Sequence, residues 1–192
     1  MTGEQGTDEV LPGHQDTGVP PASGALGRAV DKVGLVFALA FLTSTAIILY
    51  EIVAREVFNV PTLWAHDTTI FLCGLAFIFG GLYALARDKH IRVVLIYDAV
   101  RGKAKRLLNV VISFVGLVAM LFFAYGGWLL AERAVFAPNG DIRLETTGSA
   151  LRLPYYGLSK AFLFIVVCLM VAQFVVLIVN YSRGRGDAPE AD

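Results

Sequence analysis

Glu51 and Arg55 stand four residues apart in an otherwise apolar stretch. That spacing lets opposite charges meet on one face of a helix. His66 and Asp67 follow beside Trp64, and a second histidine, His90, comes only after a further long apolar run. A charge in such surroundings is costly, so each of these residues is a candidate for ion handling or for contact with a partner. The chemistry open to them is narrow. Glu51 and Arg55 are expected to pair. Asp67 falls in the first turns of the next run, where a helix N-terminal dipole favours a carboxylate. His66 and His90 sit at opposite ends of that run and cannot share a metal ion. Ser44 and Ser113 have no base at a workable register, and no phosphate-cradling loop is present. No histidine stands midway along a run, where a haem would need an axial ligand. Cys73 and Cys168 fall inside apolar runs and read as small buried hydrophobes, not as a disulfide framework. No catalytic site, metal site or cofactor is therefore expected.

The elements that must position these residues follow from hydropathy. The chain has 192 residues, 56% hydrophobic and 17% charged, with a mean hydropathy of +0.65. Soluble domains are about 45–50% apolar and about 25% charged. The excess is gathered into four runs, 33–54, 63–86, 107–131 and 161–181. About 20 residues at ~1.5 Å rise cross the ~30 Å hydrocarbon layer of a bilayer. Lipid offers the backbone no hydrogen bonds, so each run must be a helix. The expected fold is an all-α integral membrane protein with four transmembrane helices. One membrane domain, 27–181, is flanked by a disordered tail over 1–26 and a short polar tail over 182–192. The first tail has no apolar stretch after a basic start and does not read as a cleavable signal peptide.

Charge sets the orientation. Eleven basic residues lie on the side of the termini and the middle loop: Arg28, Lys32, Arg87, Lys89, Arg92, Arg101, Lys103, Lys105, Arg106, Arg183 and Arg185. Five lie on the other side, Arg55, Arg133, Arg143, Arg152 and Lys160. The positive-inside rule then places both termini in the cytoplasm. Alkaline phosphatase fused after Gly140 is expected to be active, and fused after Lys103 inactive; the reverse pattern would invert the topology. Within the middle loop, HIRVVLIYDAVR (90–101) reads as a short amphipathic helix in the inner headgroup plane. The outer connections are a tight one with Pro61 and a longer one over 132–160, whose Tyr155 and Tyr156 suit an interfacial belt. In the second run Ala76, Gly80 and Ala84 recur every four residues, with Gly81 adjacent. Small residues at that spacing let another helix approach, from this chain or another.

Residues 50–92 read YEIVAREVFNVPTLWAHDTTIFLCGLAFIFGGLYALARDKHIR. This segment resembles the small membrane subunit, the Q component, of TRAP (tripartite ATP-independent periplasmic) transporters. The resemblance is carried by Arg55, Val57, Phe58 and Asn59, then Pro61, Trp64 and Asp67, the Gly80–Gly81 pair, and the Arg87…His90–Ile91 exit. It extends over about 33–180 and is specific in 55–91. His66 departs from it, standing where the family commonly has a second acidic residue. The resemblance implies a supporting subunit in a bacterial inner membrane. A soluble periplasmic receptor would deliver an organic acid, and a large multi-span subunit would carry it across on a sodium gradient. Glu51, Arg55, Phe58, Asn59, Trp64, Asp67, Ala76, Gly80, Gly81, Ala84 and His90 would then face partners. Two other classes fit four spans: an anchor subunit of a respiratory complex, which a Soret band would reveal, and a free-standing assembly protein.

Overall fold

In a computed structural model, which describes residues 19–87, 103–137 and 139–183, the apolar runs are helices. After a single 3-10 turn, Pro21–Ser23, come α1 (Gly24–Glu56), α2 (Leu63–Ala86), α3 (Lys103–Val135) and α4 (Tyr155–Ser182). All four are long and apolar enough to span a membrane. Among the described residues the only extended pairing is an isolated antiparallel bridge between Phe136 and Ile142. The amphipathic helix expected over 90–101, and His90 with it, lies outside the described residues.

The helices pack in a row: α1 on α2, α2 on α4 and α4 on α3, with only a light contact between α1 and α4. The two central helices supply most of the core, which holds Phe79, Leu82, Val166, Phe174 and Leu177. The flanks carry exposed side chains such as Leu35, Phe122 and Val175. That inversion suits a solvent of acyl chains, from which an apolar flank need not hide.

The helices outrun the hydropathy runs because a helix needs satisfied backbone groups, not apolar side chains throughout. α1 starts at Gly24, ahead of the expected boundary at 27, and the chain before it is already packed. Ala22 and Ser23 are buried. The Ser23 hydroxyl donates to the carbonyl of Ala86 at 2.6 Å, one of the carbonyls that the end of α2 leaves unpaired. Asn180 Nδ2 donates to the Ala22 carbonyl at 2.8 Å and Gln173 Nε2 to that of Ser23 at 3.2 Å. Gly24, at φ +64°, makes the bend between this turn and α1, a conformation that glycine adopts without strain. Residues 22–26 thus belong to the bundle and not to the tail. At the same end, Arg106 Nε donates to the Tyr181 carbonyl at 2.8 Å, placing a cation on the C-terminus of α4 as its dipole favours.

The opposite end is tied differently. The α3–α4 connection folds back on the helix ends: Arg143 N–H reaches Val135 O (2.8 Å), Glu145 N–H reaches Ala134 O (2.8 Å) and Gly157 N–H reaches Glu145 O (3.0 Å). Lys160 pairs with Glu145. Tyr155 is more than a belt residue. Its ring stacks on Phe71 at 4.4 Å and its hydroxyl meets that of Thr68 at 3.3 Å, clamping α4 to α2.

Candidate partner-docking surfaces on α1 and α2

At the α1–α2 turn, the expected Glu51–Arg55 pair does not form. Arg55 turns to Glu56 (3.4 Å), and both side chains are more than half exposed. Such a pair contributes only about 0–1 kcal/mol. Glu51 instead accepts from the backbone N–H of Thr62 at 3.1 Å and from its hydroxyl. Thr62 is the residue that starts α2. The carboxylate therefore spans the turn and meets the positive end of the next helix, a better partner than a solvated guanidinium. Asn59 has φ +53°, and asparagine tolerates that left-handed conformation better than most residues. Beside it Val60 N–H returns to Ala54 O at 3.0 Å, closing the turn. Phe58 is exposed at the tip, and Trp64 stacks on Tyr50 with ring centres 6.2 Å apart.

Asp67 is half-buried. Its Oδ2 is enclosed and finds no hydrogen-bond partner among the described residues. That oxygen lacks hydrogen-bond compensation among the described residues. Its place on α2 gives it context. Leu63, Asp67, Ile70, Gly74, Phe77, Gly81 and Ala84 follow at alternating spacings of four and three, which puts them on one face of the helix. That face is open: Phe77 is 85% exposed and Ile70 52%, and a Cβ built at Gly74 or Gly81 would meet nothing within 4 Å. It runs the full length of the span.

The neighbouring flank of α2 is different. Cys73, Ala76, Gly80, Tyr83 and Arg87 face α1 across a groove of ≈ 1060 Å³. Its floor includes Phe37 stacked on Phe79 at 4.1 Å. A Cβ at Gly80 would also meet nothing within 4 Å. The small-residue pattern therefore splits. Ala76 and Gly80 line the groove, whereas Gly81 belongs to the open face and Ala84 to its end nearest Arg87. Among the described residues, Gly80 and Gly81 bring no helix into close approach; glycines that do so are Gly34, where a Cβ would lie 2.6 Å from the Tyr83 ring, and Gly116, where one would lie 2.5 Å from that of Phe174. The sequence reading missed Gly74, Phe77 and Ile70, although the four–three spacing was there to find them.

Residues 44–184 match a family model described as tripartite ATP-independent periplasmic transporters, DctQ component. A search of curated proteins gave no match.

Proposed function

We propose that this chain, which belongs to the DctQ component family of tripartite ATP-independent periplasmic transporters, braces the large transport subunit of such a system. A member of this family is a transporter component and not an enzyme. In this reading it is a multi-pass protein of a bacterial inner membrane with both termini in the cytoplasm. The large subunit moves an organic acid brought by a periplasmic receptor, driven by an ion gradient.

The observation that supports bracing is the open face of α2. A face of four–three spacing that runs through a whole span, with two glycines that no helix of the described residues covers, suits a transmembrane helix of another subunit. Glycines let backbones approach, and close packing, not water exclusion, drives helix association in lipid. Asp67 lies at the outer end of the same face, with its Oδ2 enclosed and out of a partner's direct reach. Arg55, Phe58, Asn59 and Trp64 lie beside it on the outer rim and extend the contact toward the receptor.

The test is co-purification of the large subunit with a tagged copy of this chain. Gly81→Leu is expected to reduce recovery severalfold, because its side chain fills the space the partner backbone needs. Gly126→Leu, on α3, is expected to leave recovery unchanged; a Cβ there also meets nothing within 4 Å. Equal recovery with both variants would remove the α2 face from the interface.

A further inference from the structure

The groove between α1 and α2 has a shape that a transmembrane helix does not fit. Toward the outer end it is pinched off where Ser44 Oγ meets Cys73 Sγ at 3.0 Å, with Ser44 buried. From Cys73 to Arg87 the α2 wall covers about 21 Å at ~1.5 Å per residue. One leaflet contributes about half of the ~30 Å hydrocarbon layer, so the groove matches one leaflet plus the headgroup zone on the Arg87 side. Its walls are apolar: Leu35, Phe41, Ala76 and Gly80 among them. A spanning helix would need the whole thickness and would be blocked half-way.

The mouth is charged on both signs. Arg87 Nε donates to Asp31 Oδ1 at 2.7 Å, with the two side chains 19% and 29% exposed. The guanidinium lies over the Tyr83 ring, 5.0 Å from its centre. These groups stand at headgroup depth, because Arg87 caps the end of α2 and Asp31 lies in the second turn of α1. A purely anionic headgroup would meet Asp31. A quaternary ammonium could not donate a hydrogen bond to it. A primary ammonium next to a phosphate complements both members of the pair, the ammonium toward Asp31 and the phosphate toward Arg87.

We propose that the α1–α2 groove holds one aminophospholipid, its acyl chains along Leu35, Phe41, Ala76 and Gly80 and its headgroup on the Asp31–Arg87 pair. The site meets the open face of α2 at Phe77, which also lines the groove, lies otherwise on a different flank of the helix, and does not depend on the large subunit. A lipid seated there fills a gap in the bundle that no side chain of the described residues fills, and stiffens the α1–α2 hairpin beside the proposed interface.

The test is native mass spectrometry of the full chain, delipidated in detergent and then offered phosphatidylethanolamine, phosphatidylcholine or phosphatidylglycerol with identical acyl chains. One phosphatidylethanolamine should be retained in preference to the other two. Gly80→Leu, which fills the groove from a position with open space, should abolish that retention. Gly81→Leu should leave it intact, although it is the variant expected to weaken subunit assembly. The two proposals thus fail separately. Asp31→Asn should lower retention of phosphatidylethanolamine about tenfold and erase its advantage over phosphatidylglycerol, as loss of a charge-assisted bond implies. Equal retention of all three lipids by the native chain, the mark of a merely annular shell, would overturn the site. So would unchanged retention in Gly80→Leu.

Discussion

Gly116→Ala is expected to lower the thermal midpoint of the bundle in detergent, whereas Gly126→Ala on the same helix leaves it unchanged or slightly raised. A Cβ built at Gly116 lies 2.5 Å and 2.6 Å from ring carbons of Phe174. That ring is itself 5% exposed and part of the core, so it has no free space to retreat into. Forcing a methyl group into packed surroundings typically costs about 1–3 kcal/mol. Replacing a mid-helix glycine by alanine returns roughly 0.5–1 kcal/mol of backbone entropy and propensity. At Gly116 the steric cost outweighs the gain. At Gly126 the added Cβ meets nothing within 4 Å and only the gain remains. Gly116→Leu should be more severe, separating α3 from α4 and scattering the dispersion contacts of their interface. Combining Gly116→Ala with Phe174→Leu, which vacates the ring's volume, should recover part of the loss. A double variant that merely adds the two single effects would mean that the ring and the glycine do not share the contact.

Four helices in this order were legible because hydropathy over a span is a strong signal; α2 occupies 63–86 as the run does. What was not legible has a common cause. Asp31, Arg106 and Ser23 cut or precede the apolar runs, yet each is inside the ordered bundle because another helix supplies its partner: Arg87 for Asp31, the Tyr181 carbonyl for Arg106, the Ala86 carbonyl for Ser23. Such pairings join residues far apart in sequence, and no local pattern announces them. Gln173 is the sharpest case. It sits in an apolar run and carries no charge, yet its side chain is 0% exposed and holds the turn that precedes α1. The Glu51–Arg55 expectation failed the other way. Their helical spacing permitted a pair, but the turn after α1 brought the start of α2 within reach of Glu51, and a helix N-terminus with a hydroxyl is a better acceptor's partner than an exposed arginine. At the candidate site, the small residues of α2 were visible as a set. Only the placement of α1 divides them into a groove and an open face.

In liposomes, this chain alone is expected to take up no substrate, while the chain together with the large subunit and the receptor takes it up on an ion gradient without ATP. Secondary transporters bind substrate and coupling ions near the bilayer midplane, on broken helices whose freed backbone groups and polar side chains form the site. Here α1, α2, α3 and α4 are each continuous from end to end. The acidic residues of α1 and α2 stand toward the helix ends: Asp31 pairs with Arg87 at one, and Glu51 is bound to Thr62 at the other. Among the described residues, the buried polar side chains within the helices are neutral, such as Ser44, Ser113 and Gln173. The description of the family is of tripartite, ATP-independent transporters. Sodium is the ion to test first. Each component is omitted in turn, and the gradient is collapsed in a separate run. Uptake by this chain alone would end the bracing assignment, because a brace has no path of its own. Uptake by the full set with ATP and no gradient would overturn ion coupling, whatever the part played by α2.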